Sequence, residues 1–366
     1  MSNRLLVCFI SLCLLPMLRA DTVVEPDHGH VRYSGRRQTT EEGGVRFAYS
    51  GARVRLAFKG SRVALRMDDL HKGNWVNVFL DGERTDKILI KGKGGSYTLA
   101  AGLDPDRLHT VEVVKATEGF LGSLVFHGFG LNEGAETRPW PDPETRRIEF
   151  IGDSITCGYG IEADTPDTPF VPEEENFCDT FAWRAARALD ADYQVVARSG
   201  IGIYRNYDGP REGNAKNMRT VYDQTFFNHE DPEWDHARFV PEVICINLGT
   251  NDFSTDGPDV ETFVEAYVSF VKRLGALRPE AKIVVLAGPL NDKPAYVGSL
   301  ERVVERTRET LGERVSLFRM TPQGNHGFGA HWHPSRAQAK VNGRELAVYL
   351  SDLMDWELEG AGRASE

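Results

Sequence analysis

The chain has 366 residues, 41% of them hydrophobic and 27% charged, and carries a net charge of −11. That length is generous for one domain and comfortable for two, and the composition is that of a soluble globular protein without repeats or low-complexity tracts. The acidic balance argues against nucleic acid or anionic membrane as a partner, since both are gripped through an excess of Lys and Arg; an uncharged ligand is easier to accommodate.

The first element in chain order is a targeting segment. "MSNRLLVCFISLCLLPMLRA" sets Arg4 ahead of an apolar run from Leu5 to Leu18, with Ala20 as the cleavage residue, which is the pattern of a signal peptide. The run is shorter than the ~20 residues a spanning helix needs. Neither Cys8 nor Cys13 follows a small residue, so a lipoprotein anchor is not expected. Residues 1–20 therefore read as a cleaved signal without a membrane anchor, and the mature chain is expected in the periplasm or the medium. Cleavage leaves Cys157, Cys178 and Cys245, too few for a disulfide-built fold and lacking metal-ligand spacing. Cys245, in the apolar "EVICINLG", reads as a small core residue; pairing of Cys157 with Cys178 is left open.

Residues 21–133 have a period of two. Val54, Leu56 and Phe58 alternate, as do Val63, Leu65 and Met67, and "WVNVFLDGE" ends its alternation in Asp-Gly, a hairpin signal. Many short strands with frequent turns predict an all-β sandwich. "NEGAETRPWPDPETRR" is rich in Pro, Gly and charge, and predicts a linker over 134–146. The rhythm then changes. Over 147–358 apolar runs such as "RIEFIGDS", "YQVVARSG" and "EVICINLGTND" alternate with helical stretches, the clearest being 260–278 with Phe263, Tyr267, Phe270, Val271 and Leu274 on one face. Strands buried on both faces and separated by helices predict a parallel sheet covered on both sides. The last residues, 359–366, read as a tail.

In such a fold the working residues sit beyond the carboxyl ends of the strands, and four polar segments fall there. Ser154 follows "IEFI", where a hydroxyl lies near backbone N–H groups that favour developing negative charge; alone, "GDS" is equally the cap of a helix. "ARSGIG" brings Gly200 and Gly202, which let a backbone N–H approach a substrate oxygen or merely make a turn. "NLGTND" ends a buried strand with Asn251, whose side-chain amide donates well to an oxyanion. "HWHPS" sets His333 just ahead of Ser335 and Gln338, a capping-box spacing that marks a helix start. Trp332 and Tyr204 offer rings that stack on a sugar or serve ordinary packing. "CGYG" lacks nucleotide-loop spacing and "HWH" is too isolated to bind zinc, so no cofactor or metal is expected.

In chain order these blocks resemble those of the SGNH (GDSL-like) hydrolases, over roughly residues 146–355: "GDSIT", the glycine block, "GTND" and "HP". With the β-rich first half, "HTVEVVKATEG" and the extended "GDSITCGYG", the chain is similar to the two-domain acetyl esterases of carbohydrate esterase family 2. The resemblance implies a jelly-roll sandwich followed by a flavodoxin-like α/β/α hydrolase domain. It also implies deacetylation of plant cell-wall sugars such as xylan or glucomannan fragments, with an acetylated carbohydrate as the ligand. It further implies Ser154 as nucleophile, His333 as general base, and an oxyanion held by the N–H groups of Ser154 and Gly200 (Gly202 as fallback) and the Asn251 amide, with Asp153 supporting the turn.

One position departs from that pattern. The family usually carries Asp two or three residues before the histidine, where this chain has His331 and Ala330. The expected substitute is a Ser154–His333 dyad whose histidine is oriented by the backbone carbonyl of residue 330 or 331, with the His331 ring ranked second. A carboxylate oxygen within about 3.2 Å of the far ring nitrogen would defeat the dyad. The rival readings are an esterase for other small or lipid esters, and a carbohydrate-binding protein with a decayed hydrolase site.

Overall fold

The computed structural model describes residues 22–71, 73–141, 143–226 and 232–358. The segment read as a signal, 1–20, and the tail, 359–366, lie outside the described residues.

The period-two half forms two six-stranded antiparallel sheets. One is built around Leu124–Leu131 and Arg62–Asp69, the other around Arg53–Lys59, His109–Lys115 and Trp75–Leu80. Alternation explains the core. Val63, Leu65 and Met67 of one sheet and Val54, Leu56 and Phe58 of the other are all fully buried and belong to one cluster. The Asp-Gly signal is a two-residue hairpin turn: Leu80 pairs with Glu83, and Asp81 (φ 51°) and Gly82 (φ 88°) take the two positive-φ positions such a turn demands.

The segment read as a linker needs correction. Glu136–Arg138 pairs antiparallel with Ala57–Lys59 and forms an edge strand of the second sheet. A three-residue charged edge strand needs no apolar alternation, so it left no periodic trace. Pro139 and Pro141 end it.

The second half is a five-stranded parallel sheet with the spatial order Ala191–Ala197, Arg146–Gly152, Val243–Asn247, Lys282–Ala287, Val315–Arg319. Side chains alternate between its faces. Ile151, Ile244, Ile246 and Val285 meet helices Val260–Leu277 and Pro294–Leu311, and all five apolar residues read on the 260–278 face are buried there. Phe150, Val195, Cys245 and Val284 meet helices Phe181–Ala188 and Arg336–Met354 on the other side. Numbered along the chain, the strands run 2-1-3-4-5, and connections leave the first and third in opposite directions. The crevice at their carboxyl ends is where such sheets bind ligands. Ser154 follows the first of these strands and Asn251 the third.

The two halves share a polar boundary. Arg53 is 2% exposed; its guanidinium bonds Glu112 (2.7 Å), Glu144 (2.8 Å) and, across the boundary, Asp192 (2.8 Å). Burial alone would raise the Glu144 carboxyl, but Arg53 and Arg55 outweigh it and hold it at about 2. Removing one partner of a buried ionic network costs about 3–5 kcal/mol, because the remaining charges keep their desolvation cost. Arg53→Met is therefore expected to destabilise the chain by roughly that amount, read as a lowered urea midpoint. A change below about 1 kcal/mol would show that the network is solvated rather than structural.

Candidate active site

The nucleophile block is shaped by a turn that only glycine permits. Strand Arg146–Gly152 ends in a one-turn helix, Ser154–Cys157, capped by Asp153, whose Oδ1 accepts the Ile155 N–H (3.0 Å). A Cβ on Gly152 would lie 2.0 Å from Thr156 Oγ1, so the turn closes only without a side chain there. Gly158 (φ 87°) ends the helix in the left-handed region. Ser154 is left 7% exposed.

The glycine block is the turn Arg198–Ile201, closed by a bond from Ile201 N–H to the Arg198 carbonyl (3.3 Å). Gly200 takes φ +78° as its third residue, as a type II turn requires. Among the described residues neither the Ser154 nor the Gly200 N–H has a protein partner. The fallback, Gly202, is engaged: its N–H donates to Asn206 Oδ1 (3.1 Å). Asn251 Nδ2 donates to the Ile201 carbonyl (2.8 Å) and, more weakly, to Asp153 Oδ2 (3.3 Å).

The histidine block brings the other half of the chemistry. Nε2 of His333 lies 2.8 Å from Ser154 Oγ, across 179 residues of chain. Its Nδ1 faces two backbone carbonyls, Ala330 (3.1 Å) and His331 (3.2 Å), and no carboxylate bonds it among the described residues. With Nδ1–H donating to carbonyls, Nε2 is the free acceptor for the serine proton. The two carbonyls are presented by an uncommon backbone, since His331 (φ 48°) and Trp332 (φ 62°) are consecutive non-glycine residues in the left-handed region.

The ring of His331 does not serve His333. Its Nδ1 meets the hydroxyl of Tyr159 (2.9 Å), a group that burial pushes up to about 12 and that therefore stays a donor. The Tyr159 ring lies 4.5 Å from that of His333 and stacks on Phe170 at 4.1 Å. In the sequence Tyr159 stands in "CGYG" and in the extended "GDSITCGYG", neither of which assigns it a role; its nearness to the nucleophile block is the usable signal.

Two further expectations need correction. Tyr204 is 2% exposed within the core, and its hydroxyl accepts from the Asp259 N–H (2.8 Å), so its ring has no face for a ligand. Ser335 does cap helix Arg336–Met354 through the Gln338 N–H, but the Gln338 side chain turns to the Thr321 carbonyl (2.9 Å) instead of completing a capping box. Trp332, by contrast, is 55% exposed, packed edge-on against Phe328 at 5.1 Å. Two exposed aromatics escaped the sequence reading because isolated rings carry no periodic signal: Phe120, beside Arg198 at 5.7 Å, and Tyr207, whose N–H donates to the Gly200 carbonyl.

Burial dominates the electrostatics. It pulls His333 down to about 4, against the opposing pull of the two carbonyls, and pushes the Asp153 carboxyl up to about 7 and that of Asp252 to about 6. Asp252 is a support: its oxygens accept the N–H groups of Ile203, Tyr204 and Arg205, fixing the stretch after Gly200. Cys157, Cys178 and Cys245 are buried free thiols. A cavity of about 670 Å³ near Trp183, Arg187 and Arg344 is lined by none of Ser154, Gly200, Asn251 and His333.

Comparison with known proteins assigns each half a family. Residues 33–141 match the carbohydrate esterase 2 N-terminal family model and residues 150–336 the GDSL-like lipase/acylhydrolase family. The chain is 32% identical over 340 residues to the cellulase/esterase CelE of Acetivibrio thermocellus, a match spanning 91% of this chain and 40% of that protein. It is 27% identical over 356 residues to an acetylxylan esterase/glucomannan deacetylase of Cellvibrio japonicus, spanning 95% of this chain and 96% of the relative. A family two carbohydrate esterase from Clostridium thermocellum, solved in complex with cellohexaose, superposes with a TM-score of 0.84 at 30% identity, over 89% of this chain and 99% of that one.

The His333 environment makes a testable statement. With a folded value near 4, below the ordinary 6.5, the native chain binds fewer protons at this site than the unfolded chain between those limits. Its contribution to stability is complete above pH 6.5 and is lost as pH falls toward 4. An NMR titration of the His333 ring should inflect well below 6.5; an inflection at or above 6.5 would mean that an anionic partner, not a carbonyl, faces Nδ1.

Proposed function

The chain belongs to carbohydrate esterase family 2, and on that footing we propose that it is an exported deacetylase of plant cell-wall polysaccharides such as xylan and glucomannan, or of their oligosaccharides. It is a carboxylic ester hydrolase. The observation that carries the proposal is the 2.8 Å approach of His333 Nε2 to Ser154 Oγ, with the Ser154 and Gly200 N–H groups left without a protein partner among the described residues. The relative from Cellvibrio japonicus acts on acetylxylan and glucomannan, and the Clostridium thermocellum esterase binds cellohexaose; both favour a β-linked plant polysaccharide here. Export rests on the N-terminal segment. No helix of the described residues is long and apolar enough to cross a membrane.

In this reading Ser154 Oγ attacks the acetyl carbonyl while His333 Nε2 takes its proton. The carbonyls of Ala330 and His331 hold Nδ1–H in the productive tautomer and stabilise the imidazolium by dipoles alone. Negative charge on the acetyl oxygen is met by the N–H groups of Ser154 and Gly200. Asn251 Nδ2 joins them by giving up its longer bond to Asp153. The tetrahedral intermediate expels the sugar oxygen, which receives the proton from His333. Water then attacks the acetyl-serine, again deprotonated by His333, and acetate leaves. Trp332, exposed next to His333, offers a face for a sugar ring.

Two measurements check the assignment. Ser154→Ala is expected to lower turnover of an aryl acetate and acetate release from acetylated xylan by at least about 10⁴-fold, and Asn251→Ala to lower kcat by about 10²–10³-fold. Near wild-type activity of the Ser154 variant would refute the mechanism. His331→Ala separates ring from carbonyl: because only the carbonyl faces His333, kcat should stay within about threefold, whereas a loss of about 10³–10⁴-fold would make the ring the orienting group.

A further inference from the structure

Behind the site lies a buried polar cluster that the mechanism does not use. Lys115, Glu118, Cys157 and Glu175 are each at most 2% exposed and meet where the sandwich adjoins the hydrolase half. One ligand atom from each of Glu118, Cys157 and Glu175 lies within 4.8 Å of the others, a spacing that could hold a cation. That role is already filled. The Lys115 ammonium donates to the carbonyls of Thr117 (2.8 Å) and Glu118 (3.1 Å), within the electrostatic reach of both carboxyls.

What distinguishes Glu118 is where its side chain goes. Its Oε2 accepts the backbone N–H of Ser199 at 2.7 Å, 81 residues along the chain and in the other half of the molecule. The same oxygen is approached by the Cys157 thiol at 3.8 Å, from the one-turn helix that begins with Ser154. A single oxygen from the sandwich thus touches both the glycine turn and the nucleophile helix. Glu118 is itself held at both ends of its backbone, its N–H donating to Glu175 Oε2 (3.0 Å) and its carbonyl accepting from Lys115.

The turn that carries Gly200 is fastened at four points, the first being the Arg198 N–H on the Gly152 carbonyl (3.3 Å). Tyr207 N–H holds the Gly200 carbonyl (2.8 Å), Asn251 Nδ2 holds the Ile201 carbonyl (2.8 Å), and Glu118 holds the Ser199 N–H. All but the last come from the hydrolase half. The last is the one among these that the sandwich supplies; it fixes the Ser199 N–H, and the direction of the neighbouring Gly200 N–H follows from the Ser199 dihedrals.

We propose that Glu118 is a positioning residue for the oxyanion hole: the sandwich domain sets the spacing between the Gly200 N–H and the Ser154 hydroxyl through this one carboxyl. The proposal rests on the reading of Ser154, Gly200 and Asn251 given above. It assigns the sandwich a part in catalysis that requires no contact with substrate. Burial of an ionisable group at this point has a function, since a carboxyl is long enough to reach across the boundary and accept two donors at one oxygen. Misplacing a reacting geometry by about 1 Å costs about 10²-fold in rate while leaving substrate binding largely intact.

The test is a comparison of Glu118→Ala, Glu118→Gln and Glu118→Asp with the wild-type chain on an aryl acetate, with thermal denaturation of each. Glu118→Ala should lose about 10–100-fold in kcat with KM within about threefold. Glu118→Gln, which keeps an acceptor oxygen at the same reach, should recover most of that loss. Glu118→Asp keeps a buried carboxyl but withdraws it by one methylene, so kcat should fall about tenfold without a matching change in KM, even if the Ala variant does not fold. A folded Asp variant with kcat within about twofold of wild type would overturn the proposal, as would a Gln variant no better than a folded Ala variant. Ser154→Ala, run alongside, separates the two levels: residual turnover there refutes the reading of the site itself, whatever the Glu118 series shows.

Discussion

Two hydrogen-bond acceptors on the backbone, the carbonyls of Ala330 and His331, decide how this site works. They can face His333 Nδ1 only because His331 and Trp332 both adopt left-handed conformations, which for residues of this size cost free energy that the surroundings must offset. The offset is visible. The Ala330 N–H bonds the Gly160 carbonyl (2.9 Å), the His331 N–H bonds the Pro166 carbonyl (2.9 Å), and the Gly329 N–H returns to the His333 carbonyl (2.8 Å). Gly160 and Gly329 approach so closely that a Cβ on either would overlap the other strand of the loop. The histidine is therefore held by main chain pinned to the loop after the nucleophile helix, where a carboxylate-oriented site would rely on one side chain.

That arrangement accounts for the electrostatics. A carboxylate would raise the imidazole, whereas two neutral dipoles cannot overcome burial, and His333 sits well below its ordinary range. The base is weaker for it, but it remains unprotonated in mildly acid surroundings. Nearby, burial pushes up both Asp153 and Asp252, Asp153 being raised further by Asp252, and their oxygens accept backbone N–H groups around the nucleophile and the glycine turn. The carboxyls of this site act as scaffolding.

Much of this was legible in the sequence, and the reasons are specific. The alternation of Val63, Leu65 and Met67, the Asp-Gly turn and the apolar run "EVICINLG" obey local periodicities, so the elements they form required no tertiary information. Ser154, Gly200, Asn251 and His333 could be singled out because four polar blocks fall in order at strand ends and together resemble a family, although each block alone serves equally as a cap or a turn. What escaped depends on long-range partners. The edge strand Glu136–Arg138 is defined by its neighbour, Tyr204 lost its face to the core, and Tyr159 acquires meaning only beside His331 and Phe170. Glu118 lies in "HTVEVVKATEG", which carried the family resemblance but assigned this residue no role; its reach to Ser199 exists only once the two halves are docked.

The polar boundary between the halves has a consequence for how such chains diversify. Arg36, Arg53 and Lys115 are sealed there at no more than 2% exposure: Arg36 reaches the Gln224 carbonyl and Glu149 of the hydrolase half, Arg53 bonds Glu112 on its own side and Asp192 on the other, and Lys115 bonds carbonyls of its own half. A sandwich of this kind cannot be exchanged like a tethered carbohydrate-binding module. Separating it would leave the Arg36 and Arg53 guanidiniums and the Glu149 and Asp192 carboxylates without their partners, so the two halves are bound to each other by charges that neither can satisfy alone.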